Sequence, residues 1–419
     1  MNRSIPPKLN PIKTAHLLFP KQIQLKNNLD FYWLDEVHDQ TIKLDFVWDA
    51  GSKYEDKKLI SKLCNKLLLS GTNTLNALTI NEQIDALGGY VNFDHNADHG
   101  GFTIFGLQQN INAIVKIVLH AFDQVVFDES EIHKLIEIEK KNYDLNIEKV
   151  NVLARRAFNQ QLFGEGHYYA KNVVPADFEN IKQKEIVQFY TENYQAKQPA
   201  IFLVGQADNA FLNQLDDFSA SFPNHLNSFQ PKVPKQQLTT THIPKEKAVQ
   251  TAIRIGKLCI DKNQADYTHF QMMNTILGGY FGSRLMKNIR EEKGYTYGIG
   301  SGISTLENAT YFFIATEVGK ENMQLTIDEI FSEMKILSTT LVSEEELKIV
   351  KNYLLGSFLK NADGPIPMME KFKNIYFAKL PENYYSNYFQ KVQAATPADI
   401  LNVAKKYLKP DSFTIVTAG

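Results

Sequence analysis

The chain repeats itself in order, and this constrains its fold more than any other feature. Ala200-Ile201-Phe202-Leu203-Val204-Gly205 closes a first half, and Phe413-Thr414-Ile415-Val416-Thr417-Ala418-Gly419 closes a second. Each strand-like run follows an amphipathic segment ending in tyrosine, Ile186 to Tyr194 and Ile400 to Tyr407. Upstream, Asp128 to Tyr143 parallels Ser343 to Tyr353, and both end in Lys-Asn-Tyr. Gln109-Asn110-Ile111 likewise parallels Glu321-Asn322-Met323. The offset stays near ~210–215 residues, which marks an ordered duplication. At 419 residues the chain also exceeds what one ordinary core accommodates.

A polar stretch from Phe222 to Lys247 divides the halves; it holds Pro223, Pro231, Pro234, Thr239-Thr240-Thr241 and Pro244 and lacks hydrophobic periodicity. The expected organisation is an N-terminal domain over 1–221, a linker over 222–247 and a C-terminal domain over 248–419. Ile42, Leu44, Phe46 and Trp48 alternate with Lys43, Asp45 and Asp49, the pattern of a half-buried strand. Phe102 to Leu107 reads as a strand and Asn112 to Phe122 as a helix. Asp128 and Ser343, with Glu131 and Glu346 three residues on, read as capping boxes that open two helices. Strands alternating with helices in this way predict an α+β fold, each sheet mostly antiparallel with helices packed on one face.

Lys plus Arg total 45 against 47 Asp plus Glu, so nothing in the charge favours nucleic acid or an anionic membrane. Cys64 and Cys259, far apart, build neither a disulfide framework nor a cysteine zinc site. Met1 to Leu25 lacks the apolar run of a signal peptide, and no segment approaches ~20 apolar residues. A cytoplasmic location is the expectation. Cys64, at a helical position, reads as a small buried apolar residue.

The longest motif is Leu277-Gly278-Gly279-Tyr280-Phe281-Gly282-Ser283-Arg284-Leu285, continuing through Arg290-Glu291-Glu292-Lys293-Gly294-Tyr295-Thr296-Tyr297. Its glycines lack the Gly-Lys-Ser/Thr ending and the full Gly-x-Gly-x-x-Gly spacing of a nucleotide loop. It resembles the C-terminal-domain signature of the M16 (pitrilysin-like) zinc peptidases, in which a Gly-rich turn leads to a helix bearing an arginine, with a tyrosine seven residues later. Arg290 and Tyr297 keep that spacing. The resemblance runs from about Thr41 to Gly419. It implies two homologous halves of the LuxS/MPP-like metallohydrolase type, arranged as a clam shell. In such enzymes the arginine and tyrosine grip the substrate backbone and stabilise charge on the tetrahedral intermediate. Gly278, Gly279 and Asn92, on the strand after the zinc helix, are then expected near the substrate, and Gly294 is expected to allow the turn that places Tyr297.

The family's zinc motif is His-x-x-Glu-His, two helical histidines for the metal and a glutamate as general base. Gly51-Ser52-Lys53-Tyr54-Glu55 and Leu67-Leu68-Leu69-Ser70-Gly71-Thr72 resemble its flanks. The motif positions between them fall on Lys62, Leu63, Cys64, Asn65 and Lys66. Lysines stand for both histidines and asparagine for the base, so no metal is expected in this chain. Glu137 and Glu139 lie near the family's third-ligand position and, without histidines, read as helix-surface carboxylates. His95 and His99 offer a substitute site only if the chain bends, since i and i+4 in a strand lie ~13 Å apart. His120, His133, His167, His225, His242 and His269 show no ligand spacing. Some M16 proteins divide the work between two chains, one with the zinc motif and one with the arginine and tyrosine. The resemblance implies the second type: inactive alone, binding peptide, and paired in a heterodimer with a zinc-bearing His-x-x-Glu-His homologue. A homodimer could store it. The other reading it implies is an inert scaffold or peptide-binding homologue.

Overall fold

The computed structural model describes Ile12 and residues 17–35, 40–223 and 229–419. Residues 224–228 of the expected linker, with His225, lie outside these, as does most of the N-terminal stretch before Leu17. The first half contains β1 (Lys21–Gln24), β2 (Asp30–Leu34), β3 (Thr41–Trp48), β4 (Tyr90–His95), β5 (Gly100–Leu107) and β6 (Ala200–Val204). They form a mixed sheet in the order β1-β2-β6-β3-β5-β4. The second half contains β7 (Thr240–Ile243), β8 (Gln250–Leu258), β9 (Thr296–Leu306), β10 (Ala309–Gly319) and β11 (Thr414–Ala418), ordered β7-β11-β8-β10-β9. In both sheets the closing strand runs parallel to one neighbour, β6 to β2 and β11 to β7, and the other pairings are antiparallel. The order β2-β6-β3-β5-β4 thus repeats as β7-β11-β8-β10-β9, and the sequence duplication is a duplication of topology. The stretch read as linker ends in structure, because Thr240–Ile243 pairs with β11 as an edge strand of the second sheet.

Helices of the first half are α1 (Ile60–Lys66), α2 (Ala77–Ala86), α3 (Ile111–Asp123), α4 (Glu129–Ile147), α5 (Val150–Phe163), α6 (Gln183–Tyr190) and α7 (Asn209–Ser219). The second half adds α8 (Tyr267–Asn274), α9 (Met323–Thr339), α10 (Glu344–Lys360), α11 (Pro365–Phe377), α12 (Tyr384–Ala394) and α13 (Pro397–Tyr407). Asp128 and Ser343 cap α4 and α10, accepting from Ser130 N at 2.8 Å and Glu346 N at 3.1 Å. The reciprocal half of each expected capping box is missing, because stronger partners take the glutamates. Glu131 pairs with Lys134, and Glu346 accepts two hydrogen bonds from Arg284 at 2.9 and 2.7 Å. Among the described residues no helix is long and apolar enough to cross a membrane.

Each sheet packs one face on helices of its own half, in cores that include Trp48, Phe102 and Phe122, or Phe270, Phe312 and Ile330. Its other face is covered by a helix lent from the opposite half. Ala154, Phe158 and Leu162 of α5 lie on Ala252, Val416 and Ala418, while Met369 of α11 lies on Leu34, Phe202 and Val204. These two helices are counterparts in the duplication, starting at Val150 and Pro365. The halves therefore face each other and exchange equivalent helices.

This exchange changes the environment of β3. Alternation marks Lys43 and Asp45 as its polar, outward side, yet α11 covers them and both are buried. Asp45 accepts from Lys43 at 2.6 Å, Lys373 at 3.1 Å and Thr103 at 2.6 Å, and Glu370 joins both lysines. Burial alone pushes the Asp45 carboxyl up, but Lys373 and Lys43 outweigh it and hold it below the usual range.

Candidate functional site

Lys62 and Lys66 are four apart on α1, so they share one face of the helix. That face looks onto α4, where Glu139 sits. Lys66 Nζ lies 2.6 Å from Oε1 of Glu139, and Lys62 Nζ contacts Oε2. Glu139 is only 4% exposed. The surface-carboxylate expectation is thereby corrected for Glu139, which is a buried anion bridging two ammonium groups. Glu137 is exposed, as expected. Desolvation raises the Glu139 carboxyl, and the bonds from Lys62 and Lys66 overcome this and lower it. Glu139, near the expected third-ligand position, is thus taken by the two lysines that stand at the expected histidine positions.

Asn65 is fully buried and holds α1 to β5. Its Oδ1 accepts from Gly101 N at 2.6 Å and Tyr194 Oη at 2.8 Å, and its Nδ2 donates to the Gly101 carbonyl at 3.1 Å. Cys64 is buried in the same core. A zinc ion does not fit these residues. Protonated ammoniums have no lone pair to give, they already neutralise Glu139, and the position of the general base is a structural amide.

His95 and His99 do not converge on a common point. The chain turns between β4 and β5, with Asn96 N donating to the His99 carbonyl at 2.9 Å. His95 Nε2 meets Ser61 Oγ at 3.0 Å, beside α1, while the His99 ring packs on Phe377 of α11 at 4.4 Å. Burial first, then the charges of Lys62 and Lys66, press His95 down to about 4. His99 instead groups with Asp49 and Glu307, whose ligand-capable atoms lie within 4.8 Å of one another. Lys53, itself buried, engages Glu307 and lies 3.2 Å from Asp98, so ammonium already supplies positive charge there.

In the second half, a wide π turn over Met286–Glu292 carries Arg290. Gly294, at φ 66°, then reverses the chain into β9, as its position implied. Arg290 Nε donates to the Tyr297 carbonyl at 3.1 Å, and its guanidinium lies 4.9 Å from the Phe281 ring. The nearest carboxylate, Glu291, is 3.9 Å from Nη1. Tyr297 is 93% exposed. The two residues are held together, Tyr297 exposed and Arg290 partly so, in a different half from the Lys62–Glu139–Lys66 cluster.

Gly278 sits in the π turn that follows α8. It is buried, and a Cβ there would lie 2.7 Å from Ser301 N and Oγ, so its smallness serves packing of the turn on β9. Gly279 is half-buried beside Asn274. Asn92 lies on edge strand β4, donates to Asp94 at 3.1 Å, and lines a cavity of about 680 Å³ between the halves. Sequence reading passed over Arg155 and Arg254, which line a second cavity with Tyr297. Neither belongs to a spaced motif that would reveal it.

Two family models match the chain: Insulinase (Peptidase family M16) over residues 35–168, and the Peptidase M16 inactive domain over residues 180–354. The chain belongs to the M16 peptidase family. The M16 relative Uncharacterized zinc protease YmxG of Bacillus subtilis is 21% identical over 338 residues, covering 78% of this chain and 80% of that one. Non-peptidase homolog YmxG of Helicobacter pylori is 20% identical over 377 residues, covering 87% and 86%. The crystal structure of a peptidase M16 inactive domain from Pseudomonas fluorescens shares the fold, with a TM-score of 0.86 at 21% identity over 96% of this chain and 98% of that one. With lysines at both histidine positions, this is an M16 homologue of the inactive type.

Proposed function

We propose that this M16 homologue is the zinc-free subunit of a heteromeric peptidase. It closes a chamber with a homologue carrying the His-x-x-Glu-His motif, and offers Arg290 and Tyr297 to peptide held at that homologue's zinc. The observation that carries this reading is the 93% exposure of Tyr297, with the partly exposed Arg290 guanidinium fixed at its carbonyl. Arg284, by contrast, is tied to Glu346 by two hydrogen bonds. Arg290 has a loose contact with Glu291, at 3.9 Å, which leaves its outer donors open to a ligand. A guanidinium and a phenol together can grip a peptide backbone and stabilise a developing oxyanion.

A catalytically inert scaffold is the second reading, and the covering of both sheets by α5 and α11 supports it. The test is hydrolysis of a quenched fluorescent peptide mixture by this chain, by a zinc-motif homologue from the same organism, and by both together. Activity is expected only from the mixture. Arg290→Ala or Tyr297→Phe is expected to cut it by roughly 10²–10³-fold, the usual loss for one oxyanion donor, while leaving the melting temperature unchanged. A mixture no faster than the homologue alone puts the scaffold reading in its place.

A further inference from the structure

Where α5 crosses the second sheet there is a cavity of about 570 Å³, walled by Arg155, Arg254, Asn151, Tyr297 and Glu317 among others. Arg254 points from β8 into the covered face, 4.8 Å from the Phe313 ring and 5.7 Å from Phe158. Its Nε is buried with no hydrogen-bond partner. Burial and the nearby charge of Arg155 both hold its guanidinium below the usual basicity, against an opposing pull from Tyr311. Glu317, a carboxylate of the cavity wall, accepts from Asn151 at 2.7 Å and forms no ion pair with either arginine. Arg254 as a whole is half-buried, and a cation partly withdrawn from water without a counter-charge is unfavourable unless something else supplies the negative partner.

The duplication shows what is missing. Arg254 pairs with Val416, the third residue of β11, as Asp45 pairs with Phe202, the third residue of β6. On the covering helices, Arg155 of α5 occupies the place of Glu370 on α11. In the first half the buried charge is neutralised by Lys43 and Lys373. Their counterparts in the second half are Ala252 and Phe158, which carry no charge. The sign of the central residue is inverted and its internal partners are gone.

We infer that this cavity binds the carboxylate of a peptide, with Arg254 and Arg155 as its counter-charges. Two guanidiniums match a planar oxyanion, the Tyr297 side chain borders the same space, and Val152, Ala154, Ala252 and Ala315 form an apolar wall for the attached chain. The volume is that of a small-ligand pocket. A C-terminal carboxylate and an acidic side chain offer the same chemistry. The site requires only this chain, and its test is separate from trans catalysis.

Three fluorescently labelled octapeptides of otherwise identical neutral sequence decide the matter by anisotropy with the full chain. One has a free C-terminus, one is amidated with an internal Glu, and one is amidated with Gln in its place. At least one carboxylate peptide is expected to bind about ten- to a hundredfold more tightly than the amidated Gln peptide, the range for charge-assisted hydrogen bonds. Which of the two binds identifies the source of the carboxylate. Arg155→Gln, at an exposed position, is expected to weaken that binding about tenfold without changing the melting temperature. Arg254→Met is expected to abolish the preference without lowering the melting temperature, because it removes a half-buried charge that has no ion-pair partner. The inference is overturned if none of the peptides binds, if all three bind equally, or if Arg155→Gln leaves the affinity unchanged.

Discussion

Glu139→Gln tests whether the lysine cluster contributes to folding. The carboxylate is 4% exposed and takes one ammonium on each oxygen, Lys66 at 2.6 Å. The amide keeps the shape and one acceptor, but turns its NH₂ group toward the other ammonium. One charge-assisted hydrogen bond is lost and the second weakened, and each such bond contributes about 1.5–3 kcal/mol. The lysine side chains are 41% exposed, so both can swing into water and limit the loss. The expected destabilisation is about 2 kcal/mol, read as a lower urea midpoint at constant slope. A pH series supplies the sign. The folded carboxyl lies below its usual value, about 4.3 when unperturbed, so its contribution is present above that value and lost as pH falls through the folded one. The curves for parent and variant are expected to converge below about pH 4. A difference under about 0.5 kcal/mol at pH 7, or one that persists unchanged to pH 3, refutes the reasoning.

The double variant Lys62→His/Lys66→His frees Glu139 and places two imidazoles on the face that meets it. It is expected to take up zinc stoichiometrically at micromolar metal yet hydrolyse nothing, because Asn65 remains; failure to displace zinc from a chromophoric chelator counts against it. His95, pressed to about 4 against ~6.5 in an unfolded chain, adds stability that is complete above pH ~6.5 and lost as pH falls toward 4, at most ~3 kcal/mol. His95→Gln is expected to flatten that part of the curve between pH 7 and 4.5, and an unchanged slope in denaturant midpoint against pH would discard the assignment.

The fold was legible in this chain because duplication and alternation are local signals. Asp128 and Ser343 cap their helices, and Gly294 takes the positive φ its place demanded. What remained hidden depends on the partner across the fold. Lys43 and Asp45 alternate as a solvent-facing strand edge does, and no periodicity within β3 announces that α11, more than three hundred residues later, covers them. Glu139 reads like its neighbour Glu137 until the helix carrying Lys62 and Lys66 is laid beside it. Gly278 belongs to a motif that points to substrate, while Ser301 determines its size. In each case the residue type was visible and its environment was not.

The lysine substitutions look disruptive one at a time, but as a set they preserve the electrostatics. A zinc ion held by two neutral imidazoles and one carboxylate carries one net positive charge, and so do two ammoniums and one carboxylate. Lys62, Lys66 and Glu139 therefore reproduce the charge of a metal-loaded site without the metal. This is how a carboxylate at 4% exposure is tolerated without a metal. Replacing the histidines by apolar residues would leave Glu139 buried and unpaired, which is costly, whereas two lysines repair it at once. Burial first, and then the charges of Lys62 and Lys66, keep His95 neutral beside them. The cluster holds α1 against α4. Arg290 and the exposed Tyr297 lie in the other half, away from this cluster.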